Sequence, residues 1–471
     1  SRPAPRRTPA RQGEPRPERR PENFVSQSAR RVALEVLLEV SLQDAYASLA
    51  LSKHLQGPIF LSERDKRLVT ELVYGTLENR IRLDYMIDCY LERKELAPVV
   101  RDILRMGAYQ LFFLDRVPDM AAVDESVKLA RARAGESYTG LVNGVLRTML
   151  RERSRVVYPK PDEEPARYLS VMFSLPPFLA QRLIDAYGPS AALDIAKYRD
   201  DEHPMVLRPN LERTTVQDFE RFLQLNHIAY TPGTVPGAYR VTQPGEMTAR
   251  PEYRQGLFSI QSESSMLAAR ALCARPGQSL LDACAAPGGK TAVLAEAMHG
   301  TGRVYAWDLH EHRVALIRAA AQRLGLDNVR PMQRDASLLR EDLIQTMDGV
   351  LLDAPCSGTG VMLSKPDIKY RQSAESVEAL TQTQGRLLDT CSQYVRPGGL
   401  LVYSTCSILP EENAERVRAF LESRPAFRPA PLGELLPERL RPLEQDGMVQ
   451  LLAHRDGMDG FFIARMRRVE E

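Results

Sequence analysis

Over residues 28–152 the apolar positions recur at helical spacing, with little strand-like alternation between them. Val32, Val36, Leu37 and Val40 fall on one face of a first predicted helix. Ser62-Glu63-Arg64-Asp65 has the form of a capping box, and Leu68, Val69, Leu72 and Val73 follow it at helical spacing. Further helices are predicted at 81–91, 99–113, 121–132 and 138–151. Residues 27–152 therefore read as an all-α bundle, whose exposed arginines are either a solvated face or an RNA-binding surface.

The pattern changes after residue 152. Residues 153–165 are rich in proline and charge and read as a linker. Residues 166–256 mix the two periods. Pro176-Pro177 opens a helix to Tyr187, 205–210 is a short strand, and 215–225 is an amphipathic helix. Pro209 cannot donate to a ladder, which points that strand toward a sheet edge. This stretch reads as a small α+β RNA-binding module. From 257 to 471 strands and helices alternate. Strands are predicted at 279–284, 303–309, 329–335, 348–353 and 399–405, helices at 289–298, 312–324, 376–395 and 411–421. The segments 448–452 and 460–466 form a closing antiparallel pair. Such alternation implies a mainly parallel, doubly wound, Rossmann-like sheet, so the chain is multi-domain, all-α and then α/β.

Composition narrows this picture. A chain of 471 residues has room for about three domains. Its 44% hydrophobic content is that of a globular protein, and a net charge of +2 declares no global basic field. Residues 1–26 are Pro- and Arg-rich and should be disordered. Arg6, Arg7, Arg19 and Arg20 there are a solvated tail or a loose contact to phosphates. Six cysteines without CxxC or Cys/His ligand spacing indicate neither a metal site nor a disulfide framework, and free thiols fit a reducing cytoplasm. No apolar run suggests a membrane span, and the first residues lack a signal peptide's apolar core.

Candidate chemistry gathers at strand ends, where open α/β sheets bind ligands. After the first strand comes Asp282-Ala283-Cys284-Ala285-Ala286-Pro287-Gly288-Gly289-Lys290-Thr291. Small residues let backbone approach a ligand, and the helix that follows offers free N–H groups to an anion. The spacing is neither a Walker A loop nor GxGxxG. Asp308 ends the next strand, where an acidic side chain takes ribose hydroxyls, and Asp335 ends the third, where a base would lie. A carboxylate anchor, a ribose acid and a base acid in succession suit S-adenosylmethionine.

Two thiols stand beside that crevice. Cys356 closes Asp353-Ala354-Pro355-Cys356 and Cys406 closes Ser404-Thr405-Cys406, each after an apolar strand. Carbon 5 of cytosine is a poor nucleophile until a thiolate adds to carbon 6, and a base must later remove the carbon-5 proton. Asp353 is placed to meet the N3/N4 edge of the ring. An exocyclic-amine acceptor would call for an Asn/Asp-Pro-Pro-aromatic turn, which is absent. Cys89, Cys273 and Cys391 read as small buried hydrophobes, and Cys284 as a pocket wall without chemistry.

The segments 282–291, 353–360 and 404–407 closely resemble the RNA cytosine-C5 methyltransferases. The helical region, with Leu141-Val142-Asn143-Gly144-Val145-Leu146-Arg147, is similar to the NusB-like RNA-binding fold. The resemblance covers all but the first roughly 25 residues. It implies S-adenosylmethionine-dependent methylation of carbon 5 of a cytosine in small-subunit (16S) rRNA, at nucleotide 967, by a monomer that needs no metal or membrane. It implies that Cys406 is the nucleophile and Cys356 assists product release. It also assigns cofactor contacts to Cys284, Ala285, Ala286, Pro287, Gly288, Gly289, Lys290, Asp308, Asp335 and Asp353. Two departures are Gln261-Ser262, where the family often has Gln-Asp, and Phe178, where Trp is common. The competing readings are the same chemistry on tRNA or 23S rRNA, and a non-catalytic RNA-binding assembly factor.

Overall fold

The structure is a computed structural model, and it describes residues 25–26, 28–56, 59–199, 204–242 and 245–470. The tail expected to be disordered lies outside the described residues except for Val25 and Ser26, which pair in parallel with Ile59 and Phe60. The chain forms two units. One comprises Ser1–Thr76 and Tyr90–Arg153, the other Leu77–Cys89 and Ser154–Glu471.

The first unit is helical because its sequence caps and packs helices. The helix Ala29–Gln43 starts where the Ser28 hydroxyl accepts the Arg31 N–H, and it buries Val32, Val36 and Leu37. Before Glu63–Glu78 the predicted box is half made. Ser62 Oγ accepts the Asp65 N–H at 3.1 Å, while the Asp65 carboxylate takes the Ser62 hydroxyl rather than a backbone N–H. Pro98 opens Pro98–Phe113 at a first-turn position that needs no N–H. The helices Asp119–Arg133 and Thr139–Arg151 pack against it across Gly107, where a Cβ would meet a Leu146 methyl and Ser126 Oγ at 2.8 Å. The helix Arg80–Asp88, expected in this bundle, is grouped with the second unit instead.

In the second unit, the helix from Pro177 breaks at Gly188, whose φ of 78° is left-handed, so its first part ends at Tyr187 as the sequence implied. The four-stranded antiparallel sheet runs Tyr230–Pro232, Tyr239–Val241, Met205–Pro209, Phe258–Ile260. This corrects the edge placement of Met205–Pro209, which is interior. Pro209 is tolerated because it is the strand's last residue and faces only Phe258 across the ladder. Phe258–Ile260, expected to begin the α/β region, completes the small sheet.

The large sheet has the order Phe427–Pro429, Phe461–Arg468, Val395–Thr405, Met347–Asp353, Ser279–Asp282, Arg303–Asp308, Val329–Gln333, with Met448–Leu451 also on Phe461–Arg468. The five strands from Val395–Thr405 to Val329–Gln333 are parallel, and Phe461–Arg468 is antiparallel to its neighbour. Both faces are covered. Leu351 and Val402 pack into one core and Val350, Leu352, Leu401 and Tyr403 into the other. Strand order reverses between Ser279–Asp282 and Met347–Asp353, the kind of switch point at which open α/β sheets bind ligands. Val329–Gln333 stops short of Asp335, which sits in the following loop rather than at the strand end. The helix expected from 411 begins at Ala414, because Pro410–Glu412 form a 3-10 turn.

Candidate active site

The glycine loop springs from the middle of the parallel sheet. The Ala283 N–H donates to Leu351 O and the Ala285 N–H to Trp307 O, which extends the ladder past Asp282. Gly288, with φ 104°, then turns the chain into the helix Gly289–Ala297. An added Cβ at Gly288 would lie 3.4 Å from Ile317 Cα. The first-turn N–H groups of Gly289–Ala297 have no partners within the helix and are available to an anion. Asp282 anchors the loop from below. It is fully buried, accepts the Thr291 hydroxyl at 2.7 Å, and burial pushes its carboxyl up to about 7.

Three carboxylates lie at or just past the ends of strands in the parallel sheet. Asp308 is buried; it accepts long hydrogen bonds from the Ala286 N–H at 3.4 Å and the His310 N–H at 3.3 Å, and Arg313 lies 3.8 Å from it. Acceptor capacity therefore remains for hydroxyl groups of a ligand. Asp335 holds the Ser337 hydroxyl and N–H on one oxygen, and these bonds keep it below the usual carboxylate range. Asp353, which ends its strand opposite Ser404, accepts the Ser404 hydroxyl on one oxygen and the Lys290 ammonium on the other, each at 2.7 Å. Burial alone would lower the Lys290 ammonium, but Asp353 outweighs it and the net shift is upward. Lys290 also lies 5.3 Å from the centre of the Phe461 ring. A chain of small residues, a helix N-terminus, the strand-end Asp308 and the loop residue Asp335 fit an amino-acid carboxylate, a ribose and a base, the parts of S-adenosylmethionine.

The sheet register brings the two thiols together. Cys356 Sγ and Cys406 Sγ stand 3.3 Å apart, both half-buried. The hydrogen-bonded contact with Cys356 holds the Cys406 thiol below its usual range, against the opposing effects of burial and Asp353, and Lys290 and Lys365 reinforce it. The same contact, with burial and the nearby Glu412, holds the Cys356 thiol well above its usual range. Burial raises the Cys284 thiol well above its usual range, which disfavours its thiolate. Of the cysteines expected to be buried, Cys391 is, whereas Cys89 and Cys273 are half-buried.

The sequence reading missed a buried polar cluster beneath the thiols. Glu412 is fully buried and accepts four hydrogen bonds, from the Ser357 N–H and hydroxyl, the Ser407 hydroxyl and the Gln384 amide. Asn413 donates to Ser407 O at 2.8 Å. The available signal was the placement of Ser357 and Ser407 directly after the two cysteines. Glu411-Glu412-Asn413 looked instead like the exposed start of a helix.

Residues 269–467 match the family model "16S rRNA methyltransferase RsmB/F", and residues 27–151 match the NusB family. The chain is 38% identical over 429 residues to the probable ribosomal RNA small subunit methyltransferase B of Bacillus subtilis (strain 168), covering 90% of this chain and 95% of that protein. It is 33% identical over 405 residues to the ribosomal RNA small subunit methyltransferase B of Vibrio cholerae serotype O1, covering 85% and 89%. The solved structure of PH0851 superposes with a TM-score of 0.79 over 95% of this chain and 100% of its own, at 24% identity, a likeness of fold alone.

Proposed function

Because the chain belongs to the S-adenosylmethionine-dependent 16S rRNA methyltransferase RsmB/F family and carries a NusB-family domain, we propose that it methylates carbon 5 of a cytosine in 16S rRNA through a covalent adduct on Cys406. The cofactor, when bound, supplies a methyl group made electrophilic by a sulfonium. The first-turn N–H groups of Gly289–Ala297, Asp308 and Asp335 are the groups that would hold it, with Cys284, Ala285, Ala286 and Pro287 as its wall.

The observation that carries the reading is the pair of unequal sulfurs 3.3 Å apart beside the Lys290–Asp353 ion pair. The Cys406 thiolate forms a bond to carbon 6, and the carbon 5–carbon 6 electron pair shifts to carbon 5, which takes the methyl. Loss of the carbon-5 proton to a base then returns electrons to the ring, breaks the sulfur–carbon 6 bond and frees the thiolate. Asp353, oriented by Lys290 and Ser404, accepts from the ring's amino edge during the addition. Cys356, the protonated partner, assists release of the product. The target base must leave its stack to reach a half-buried thiol.

Cys406→Ala in the full chain, assayed for methyl transfer to unassembled small-subunit rRNA, should lose activity by at least about a thousandfold, as for removal of a covalent nucleophile. Undiminished transfer would sink the nucleophile assignment. Bisulfite sequencing of rRNA from cells with and without the protein tests the target. Loss of modification at cytosine 967 alone supports it. Loss in tRNA or 23S rRNA supports the same chemistry on another RNA, and no loss supports an assembly factor.

A further inference from the structure

The resemblance that distinguished Cys406 from Cys356 gives no physical reason for the difference. Both thiols follow parallel neighbouring strands, both are half-buried, and they touch each other. Something must break the symmetry. The sulfur-to-sulfur contact has one donor and one acceptor, and whichever sulfur lacks the proton is the nucleophile.

The surroundings are unequal. The charges of Lys290 and Lys365 favour a thiolate at Cys406 and that of Asp353 opposes it, whereas Glu412 disfavours one at Cys356. Glu412 is also the junction of the two loops. Its Oε1 accepts the Ser357 N–H at 2.9 Å and the Gln384 amide at 3.0 Å, and its Oε2 accepts the Ser357 and Ser407 hydroxyls at 2.5 Å each. Gln384 reaches on to Pro355 O, just before Cys356. On the other side, Ser407 Oγ accepts the Leu409 N–H and Thr359 Oγ1 accepts the Ile408 N–H, while the Gly360 N–H donates to Cys406 O. A carboxylate can only accept, so it fixes the direction of every hydroxyl in the cluster. The four groups that donate to its side chain are all neutral, and no ion pair to it is found among the described residues.

We propose that Glu412 is a positioning residue that locks the two cysteine loops together and makes Cys356 the donor and Cys406 the acceptor of their contact. This rests on the reading of Cys406 as nucleophile. Glu412 does not touch the reacting atoms. It locks the loops through Ser357 and Ser407, the residues that directly follow the two thiols, and it sets the donor through its charge beside Cys356.

Glu412→Gln tests the inference, because the amide keeps the shape, removes the charge and reverses the hydroxyls. In the full chain without RNA, iodoacetamide labelling of each cysteine is read by peptide mass spectrometry across pH. Wild type should label at Cys406 first, with an acid limb below that of Cys356. In Glu412→Gln the Cys356-to-Cys406 labelling ratio near neutral pH should rise about tenfold, the worth of one charge-assisted hydrogen bond. Adduct formation with RNA should slow about tenfold, while KM for RNA and affinity for S-adenosylmethionine stay within about twofold, since neither ligand is bound by Glu412. An unchanged labelling ratio in a folded variant overturns the proposal, whatever the rate. If Glu412→Gln does not fold, Ser407→Ala leaves the charge and removes one tether. It should slow adduct formation several-fold with the wild-type labelling ratio, and a wild-type rate there overturns the locking. An active Cys406→Ala would sink the underlying reading instead, so the two failures are distinguishable.

Discussion

Between Cys356 and Cys406 a single hydrogen-bonded contact joins the proposed nucleophile to its proposed helper. Because the contact with Cys356 is the largest influence holding the Cys406 thiol down, removing it has a defined sign. Cys406 reaction depends on the thiolate, so its rate rises with pH through the thiol's pKa and levels above it. In Cys356→Ala that acid limb should move to higher pH, toward the roughly 8.5 of an ordinary thiol. Rapid-quench measurement of adduct formation against pH reads the shift, and an unmoved limb means that the sulfur contact does not activate Cys406. The same variant should accumulate a protein–RNA adduct that survives denaturation. Free product at the wild-type rate would remove the release role from Cys356.

At the scale of elements, the turn at Gly288 sets the entry of Gly289–Ala297 and with it the anion-binding end of the crevice. Its φ of 104° and the 3.4 Å approach to Ile317 Cα leave an alanine both strained and crowded. Gly288→Ala should cost about 1–2 kcal/mol from the left-handed backbone alone, with a further loss of cofactor affinity as the helix shifts. Thermal unfolding and calorimetric titration with S-adenosylmethionine would measure the two effects, and wild-type values for both would show that the turn has slack. The strand and helix pattern around this loop was legible because period 2 and period 3.6 are local properties. The strand ends were less so. Asp335 lies two residues past Gln333, since sheet pairing ends where the neighbouring strand ends, at Asp308.

At the scale of the molecule, the second unit is discontinuous in sequence. Leu77–Cys89 belongs with Ser154–Glu471 and is tied there by side chains. Lys369 donates to Glu78 O at 3.0 Å, Tyr370 to Leu77 O at 2.8 Å, Tyr85 to Val157 O at 2.5 Å, and the Arg82 N–H to Ser174 Oγ at 3.0 Å. Lys369 is buried, and burial lowers its ammonium to about 7, so losing a carbonyl partner is costly. A fragment that begins at Ser154 should therefore unfold at least about 5 °C below the corresponding transition of the full chain, as expected for several lost hydrogen bonds in a large unit. Equal transitions in differential scanning calorimetry would show that Leu77–Cys89 is dispensable.

The sequence alone determined the element pattern, the helical region before the α/β region, the small-residue loop, and the placing of two thiols and three acids near one sheet edge. Each of these is written within a dozen neighbouring residues, where hydrophobic period, turn chemistry and capping act. The tertiary structure decided what depends on residues far apart in the chain. It made Met205–Pro209 an interior strand by supplying Phe258–Ile260, and it drew Arg80–Asp88 to the second unit. It also buried Glu412 beneath Ser357, 55 residues away, so that two similar cysteines meet unequal charges. Hydrogen bonds across such separations leave no period in the sequence, because their partners are chosen by the packing of the sheet.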